Sequence, residues 1–331
     1  MKHEIQNLTR RSALTCMIGM VAGTAASGAM AQTAPWPEKP IRIIVPFAPG
    51  GATDLVARLV GTEMAKDLGQ PVIVENKAGA AGNLGADAVA KSPADGYTLL
   101  WGTIGTLAIN QLVSKKLPYD AQKDLKPISM VASFPNVLVV PLSSSARSVA
   151  DLVALGKAKG LTYASSGVGT SLHLSGVMLA EASGLSMTHV PYKGSSQAMT
   201  DVVGGQVDMI FDNLPSSYSM VKGGKVRPLA VTGAKRAALL PDVPTMGELG
   251  FKNFAIDSWS GLLAPAGTPD TVIRKLDAAV KKAIMAPGFE ARLIQTGAER
   301  SYKDPAGFAQ YIQSEHARWR TLIQAHQISV D

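Results

Sequence analysis

Two stretches rich in glycine and hydroxyl residues contain the residue types that could do chemistry in this chain. The first, GGATD at 50–54, follows an apolar run at 41–45 and precedes residues 55–68, where apolar side chains recur at helical spacing. Glycine lets the backbone approach a ligand closely, and the amides that open a helix have no internal partner and attract anions. The pattern indicates a strand, a glycine turn and a helix, whose junction is either a structural turn or an anion site.

The second stretch, SSGVGT at 165–170, supplies serines that His173 and Asp212 would complete as a hydrolase triad. It lacks the Gly-x-Ser-x-Gly pattern that presents a nucleophilic serine on a sharp turn. His173 falls in the first turns of the following predicted helix, where a ligand-facing or cap-supporting histidine is commoner. An exported hydrolase that uses Ser165 or Ser166 is the alternative from a different functional class.

Neither a metal, a cofactor nor a catalytic residue is predicted. The histidines at 173, 189, 316 and 326 form no HExxH motif or i,i+4 pair, and no acidic cluster accompanies them. The glycine turn lacks the lysine and spacing of a phosphate loop and the third glycine of a dinucleotide fingerprint. Cys16, the only cysteine, lies in the N-terminal segment described next, which excludes a thiolate site from the rest of the chain.

The N-terminus has the features of a secretory signal. Basic residues at 2, 10 and 11 precede an apolar stretch at 13–26, and AMA at 29–31 offers a cleavage site, so residues 1–31 are predicted to be a signal peptide. The paired arginines resemble a twin-arginine signal, but Ala13 stands where that pattern prefers Phe, so the export route stays open. The expected location is the periplasm.

The 331-residue chain is long enough for two domains, and 46% hydrophobic with 17% charged residues is typical of a globular protein. Without the signal, 29 basic and 24 acidic residues leave a net charge of +5. This excess favours small anionic ligands. The basic residues are dispersed, so nucleic-acid binding has little support.

Strands alternate with helices in two series, which predicts an α/β fold with a mostly parallel sheet whose ligand site lies at the carboxyl ends of the strands. A short strand at 137–140, bracketed by Pro135 and Pro141, is predicted to open the second series. A later strand at 257–263 is expected to return to the first half. Thr268 is predicted to cap a helix that begins with Pro269, and the aromatic residues between 308 and 319 are expected to pack in the core. The remaining strands are predicted at 41–45, 71–75, 97–101, 161–164, 187–190, 207–211 and 226–232.

An exported two-lobed α/β protein with small-residue turns facing a cleft suits a solute receptor. Backbone amides and hydroxyls can hold a carboxylate there, each charge-assisted bond contributing about 1.5–3 kcal/mol. The chain moreover resembles a Bug-type substrate-binding protein of the tripartite tricarboxylate transporter family, over essentially all of the sequence after the signal. The motifs that carry the resemblance are VPFAPGGATD at 45–54, VENKAG at 74–79, GN at 82–83, DGYTL at 95–99, SSGVGT at 165–170 with His173, HVPYKG at 189–194 and GQVD at 205–208.

The resemblance implies a two-lobed type II periplasmic-binding-protein fold, with residues 36–132 and 256–331 in lobe 1 and 133–255 in lobe 2. It also implies a monomer that binds a small organic carboxylate in the interdomain cleft and delivers it to the membrane components of the transporter. Tyr192 and Asp212 would flank the outer end of the ligand, where Asp212 would favour a positive or hydrogen-donating group. The residues implied to hold the carboxylate are Phe47, Gly51, Ala52, Thr53, Thr103, Ser165, Ser166, Gly169 and Thr170.

Some residues near these motifs have other interpretations. Asp54 is predicted to order its own loop at the helix start rather than to touch ligand, and Asn76 to shape a neighbouring turn. Ile104 is bulkier than the small residue that the family pattern leads one to expect, and it would narrow the pocket. A receptor that works with a membrane signalling protein is a further alternative, whereas the signal disfavours a regulator domain of this fold type.

Overall fold

The computed structural model describes residues 36–114, 116–252 and 254–325. The predicted signal at 1–31, with Cys16, and His326 lie outside the described residues. The chain divides into residues 1–38 and residues 39–331, and the elements and site below belong to the second of these units. No helix in the described ranges has both the length and the apolar character needed to cross a membrane.

The first α/β series forms as predicted because short apolar runs alternate with amphipathic stretches. β1 lies between β2 and β3 and is parallel to both. After β3 a helical segment opens with a π-type turn, Gly105–Ile109, and continues as α3 (Asn110–Val113). The other elements are β1 (Ile41–Val45), α1 (Ala52–Leu68), β2 (Val72–Asn76), a 3₁₀ turn (Ala80–Gly82), α2 (Asn83–Ala90) and β3 (Thr98–Thr103).

The prediction of a short strand at 137–140 is wrong: β4 (Leu125–Pro141) has 17 residues. Its first part pairs with β9 (Asp257–Pro265) and its second with strands of the other series. Pro135 is the last β4 residue paired with β9, and Pro141 ends the pairing with β8. A proline removes one ladder donor, so at the ends of ladders it leaves the strand intact.

The second series repeats the alternation. β5 lies between β6 and β7, parallel to both. The Ser148 hydroxyl accepts from the Asp151 amide at 3.1 Å and caps α4. The elements are α4 (Val149–Lys159), β5 (Leu161–Ser165), α5 (Ser171–Ser183), β6 (Met187–Pro191), α6 (Ser195–Val203), β7 (Met209–Asn213), α7 (Leu214–Lys222) and β8 (Val226–Val231).

The C-terminal part returns to the first series, as predicted, because β9 pairs with β3. The predicted cap is wrong: Pro269 is the N-cap of α8, and the Thr268 hydroxyl is buried without a hydrogen-bond partner among the described residues. Phe308 and Trp319 are fully buried, which confirms the core assignment. The elements after β9 are α8 (Asp270–Ile284), α9 (Phe289–Thr296), β10 (Glu299–Lys303) and α10 (Pro305–Ala325).

The sheet is mixed rather than mostly parallel. Its order is β2-β1-β3-β9-β4-β7-β5-β6, and β8 and β10 also pair with β4. Every pairing of β4 and β9 is antiparallel. β1 and β3 therefore run in the same direction as β4, whereas β5, β6 and β7 run in the opposite direction. Because β4 passes from one group of strands to the other, the carboxyl ends of both parallel groups point toward its middle. The helices that follow those strands therefore begin around one place.

Candidate anion-binding site

A cavity of about 30 Å³ lies where these strand ends meet. Its wall is made largely of the N-caps and first residues of α1 and α5, the first residue of α6, the N-cap of α7 and the start of the π-type turn. None of the described residues that line it is charged. The lining consists of Phe47, Ala48, Gly51, Ala52, Thr53, Thr103, Ile104, Gly105, Phe134, Ser166, Thr170, Ser171, Leu172, Ser195, Asn213, Ser258 and Trp259.

On one side the cavity is bounded by the α1 rim, which we define as residues 50–54. Gly51 is the N-cap of α1 and has no side-chain cap. The first bond of the helix runs from the Leu55 amide to the Gly51 carbonyl at 3.1 Å, so the amides of Ala52 and Thr53 come before it and have no acceptor within the helix. Both residues line the cavity, and their amides carry the positive end of the helix dipole.

The α1 rim is held from behind by Asp54. Its carboxylate accepts from the Gly50 amide at 3.0 Å and from Asn76 Nδ2 at 2.9 Å, and it pairs with Arg58 at 2.8 Å. Burial opposes ionisation, but these donors outweigh it and lower the pKa of Asp54. Asn76 Nδ2 also lies 3.1 Å from the Phe47 carbonyl. The prediction that Asp54 orders its own loop is confirmed; Asn76, predicted to shape a neighbouring turn, contacts this same loop.

On the other side lies the α5 rim, defined as residues 165–173. The N-cap is Thr170, whose hydroxyl accepts from the His173 amide at 3.4 Å and donates to the Gly167 carbonyl at 2.7 Å. The amides of Ser171 and Leu172 precede the first intrahelical bond, from Leu174 to Thr170. A second set of helix-opening amides thus stands at the same cavity.

The α5 rim is held by neutral groups, of which Ser165 and His173 are buried and His189 is half-buried. Ser165 is fully buried, and its Oγ lies 2.6 Å from His189 Nε2 and 3.0 Å from the Gly167 amide that donates to it. The Gly169 amide donates to His173 Nδ1 at 3.3 Å. Burial lowers the pKa of His173 to about 3 and that of His189 to about 4, so both rings are neutral at pH 7.

These contacts do not assemble the hydrolase triad. The Ser165 hydroxyl faces the inside of its own turn, where it also donates to the Gly167 carbonyl at 3.1 Å. Asp212 accepts from Ser216 at 2.7 Å instead of orienting a histidine. The serine and its histidine therefore stabilise the turn that carries the α5 rim.

The structure brings together seven of the eleven predicted ligand-binding residues. Ser165 and Gly169 lie within the α5 rim but not on the cavity wall. Tyr192 donates its hydroxyl to Asp201, and Asp212 lines a neighbouring cavity. Ligand contact by any of the eleven stays a prediction. The seven on the wall are Phe47, Gly51, Ala52, Thr53, Thr103, Ser166 and Thr170.

Several residues of the wall were not predicted from the sequence. Ser195 is the first residue of α6, and Asn213 is the last residue of β7 and the N-cap of α7, so their places at strand-to-helix junctions could have identified them. Phe134 and Trp259 come from β4 and β9, whose course through the sheet has no local sequence signal. Ile104, predicted to narrow the pocket, does line it.

The donors of the site are amides and hydroxyls, and Phe47, Phe134 and Trp259 form an apolar part of its wall. Such a site suits an anion, because neutral donors can surround it without the cost of burying a second charge. The wall offers no carboxylate for a cation. Within the described residues, no group of three or more histidine or acidic side chains is placed to hold a metal ion.

Comparison with known proteins agrees with this geometry. Residues 56–328 match the model of the tripartite tricarboxylate transporter family receptor. The protein BugT of Bordetella pertussis is 35% identical over 321 residues, covering 96% of this chain and 98% of BugT.

Two solved structures are also similar over most of their length. One is an R. palustris protein with adipate, 36% identical with a TM-score of 0.86, covering 89% of this chain and 99% of that one. The other is MatC from Rhodopseudomonas palustris with bound malate, 34% identical with a TM-score of 0.83, covering 87% of this chain and all of that one. These structures confirm the predicted α/β periplasmic-binding-protein fold; the lobe boundaries stay a prediction. The chain belongs to the tripartite tricarboxylate transporter family of receptors.

Proposed function

We propose that the protein is a periplasmic, non-enzymatic receptor that binds a small organic carboxylate and delivers it to the membrane components of a tripartite tricarboxylate transporter. The signal at 1–31 would export it, and it would act as a monomer. The observation that carries the proposal is the meeting of the α1 and α5 rims on one uncharged cavity. The adipate and malate bound by two relatives support the ligand class.

Neutral hydrogen-bond donors can supply the binding free energy that such a receptor needs. Each hydrogen bond to a charged group contributes about 1.5–3 kcal/mol, so three or four of them, less the ordering costs, reach the roughly −8 kcal/mol of a micromolar binder. Thr53, Ser166 and Thr170 stand on the wall beside the free amides. An arginine is not needed, because two helix dipoles already favour a negative charge there.

Contacts between the predicted lobes support opening and closing. The Ser196 hydroxyl donates to the Pro49 carbonyl at 2.9 Å, and Ser171 Oγ lies 2.5 Å from Ser258 Oγ. The cavity is about the size of one water molecule, so a ligand can enter only when these contacts separate. Lobes that close again around it would present the transporter with a surface distinct from the open form.

The test is calorimetric titration with a panel of mono- and dicarboxylates and their uncharged amides. Carboxylates should bind and be recovered unchanged, and amides should not bind. Thr53→Val should weaken binding roughly tenfold, the effect of one hydrogen bond to a charged group. Thr62→Val, on the exposed side of α1, is the matched control and should bind as wild type. Failure of every carboxylate, or ester turnover that Ser165→Ala abolishes, would contradict the proposal.

A further inference from the structure

The HVPYKG motif ends at Gly194, which is buried and forms the N-cap of α6. Residues 193–196 lie against residues 48–51, which belong to the other predicted lobe, and we call this pairing the interlobe contact. Ala48 and Ser195, from its two sides, line the anion cavity. The interlobe contact therefore forms part of the cavity wall, and the wall is complete only while the two segments touch.

The two segments approach each other at backbone distance. The Ala48 amide donates to the Lys193 carbonyl at 3.4 Å, and the Ser196 hydroxyl donates to the Pro49 carbonyl at 2.9 Å. A Cβ atom on Gly194 would lie 2.7 Å from the Ala48 Cβ and 3.1 Å from the Ala48 nitrogen. Carbon atoms in contact normally lie about 3.5–4.0 Å apart, so the interlobe contact has no room for a side chain at Gly194.

Glycines face small side chains along the whole interlobe contact. A Cβ atom on Gly51 would lie 3.1 Å from Ser195 Oγ, and one on Gly50 would lie 3.1 Å from Ser196 Oγ. Gly50 also has a left-handed φ of +84°, which favours glycine by itself. Gly194 has φ −178° and ψ 160°, an extended conformation that any residue adopts. Space, rather than backbone conformation, requires glycine at this position.

Helix capping would favour a different residue at Gly194. Serine, aspartate and asparagine rank above glycine as N-caps, because their side chains accept from a helix-opening amide. Ser148 and Thr170 cap α4 and α5 in this way. Gly194 leaves α6 without a side-chain cap, as Gly51 leaves α1. Both of these helices begin in the interlobe contact, so α6 lacks a cap where the two segments approach most closely.

We propose that Gly194 and Ala48 are positioning residues of the carboxylate site, because their contact allows the α1 rim and the start of α6 to close on the ligand. The inference rests on the proposed function. In the open form the two segments are apart, so a side chain at Gly194 has space and folding does not need the glycine. In the closed form the same side chain would keep the α1 rim away from a ligand held by the α5 rim. Glycine at this position is therefore required for binding and not for folding.

Gly194→Ser tests this role, because its expected effects on stability and on binding have opposite signs. Serine is the better N-cap, so the Tm of the ligand-free full chain should stay the same or rise. Calorimetric titration with mono- and dicarboxylates should show binding weakened roughly 10- to 100-fold, the loss of about one hydrogen bond to a charged group. Gly247→Ser is the matched control and should bind as wild type. Gly247 is exposed, and an added Cβ would meet only Thr245 Oγ1, at 3.6 Å.

A second substitution tests the contact itself. Ala48→Gly removes the methyl group that the new Cβ would meet, so the double variant Gly194→Ser/Ala48→Gly should bind more tightly than Gly194→Ser alone. If the two residues acted independently, Ala48→Gly would change the affinity by the same factor in wild type and in Gly194→Ser. We expect a gain that is specific to the Gly194→Ser background.

The outcomes separate this inference from the proposed function. Carboxylate binding by Gly194→Ser as tight as that of wild type would overturn the positioning role and leave the carboxylate receptor intact. Weakened binding together with a lowered Tm, and with no gain from Ala48→Gly, would do the same, because it would show a merely structural role. If no acid binds wild type while thermal melting shows a folded protein, the proposed function fails and this inference fails with it.

Discussion

The α1 rim and the α5 rim present the same kind of group, helix-opening amides, but the chain holds them in place differently. The α1 rim has no side-chain cap and is fixed by the ionised Asp54, which collects donors from Gly50, Asn76 and Arg58. The α5 rim has a threonine cap and is fixed by two neutral histidine rings and by buried hydroxyls. One rim thus depends on a buried carboxylate with a half-exposed ionic partner and the other on a neutral hydrogen-bonded network.

Because the two rims are held in place differently, they should respond differently to perturbation. The α1 rim can adjust at one of its contacts, because the Arg58 partner of the buried Asp54 carboxylate is half exposed. A buried neutral network cannot adjust without leaving a polar group unsatisfied. We therefore expect the α5 rim to be the more sensitive to steric change and to mild acid.

The largest expected effect is a difference between the two rims in the stability that is lost when a methyl group is added to one of their glycines. Gly169 has φ +85°, and a Cβ there would lie 2.4 Å from Asn110 Oδ1, whose residue is buried. Gly169→Ala should lower the free energy of unfolding by about 3 kcal/mol, from the left-handed backbone and overpacking together. Gly50→Ala on the α1 rim, where the Cβ meets only the Ser196 hydroxyl at 3.1 Å, should cost about 1–2 kcal/mol. Urea denaturation measures both.

Gly69→Ala is the control for backbone conformation alone. Gly69 has φ +66° and no atom within 4 Å of its added Cβ, so the substitution should cost about 1 kcal/mol. Equal losses for Gly50→Ala and Gly169→Ala would show that the two rims do not differ in packing.

The next effect is a difference in pH dependence. His173 and His189 have folded pKa values below the usual 6.5 of an unfolded chain. The unfolded state therefore binds more protons as the pH falls below 6.5, and stability is lost there. The two histidines together should cost about 2–3 kcal/mol between pH 7.5 and 5.5. Urea denaturation across this range, with wild type and His189→Gln, should show the slope reduced in the variant.

Asp54 should affect the stability of the protein over a different pH range. Its pKa is lowered, so the stability it contributes is present above the unfolded value and is lost only as the pH falls through about 4 and below. Asp54→Asn should leave the slope between pH 7.5 and 5.5 unchanged. A flat profile in wild type over that range, or one that Asp54→Asn flattens, would contradict the assignment.

The smallest expected effect concerns Asp54, the charged residue that holds the α1 rim. Asp54→Asn keeps the shape of the side chain but loses the ion pair with Arg58 and weakens acceptance from the Gly50 amide. The free energy of unfolding should fall by about 1–2 kcal/mol at pH 7. Carboxylate affinity should fall as well, because the loop that positions the Ala52 and Thr53 amides loosens. Unchanged affinity with lowered stability would separate the anchor from the site.

Local sequence patterns predicted most of the fold. Apolar runs at 41–45 and 161–164 and the glycines that follow them located two strands and the helices after them, because these signals act between neighbours in the chain. The helix cap at Ser148 could be predicted from the sequence for the same reason. The length of β4 could not be predicted, because proline normally interrupts a strand, whereas Pro135 and Pro141 lie here at the ends of its ladders. The direction of β9 relative to the sheet was also beyond local reasoning.

The candidate site shows the same division. The sequence by itself determined the two rims, since glycine, serine and threonine at the ends of strands dictate turns that open helices. Only the tertiary structure decided that the rims face one cavity, that Ser165 turns away from it, and that Asp212 lines a second cavity beside it. The physical reason is that these facts depend on β4 and β9, which run antiparallel between the two groups of strands. That pairing joins residues more than one hundred positions apart, and no local pattern records it.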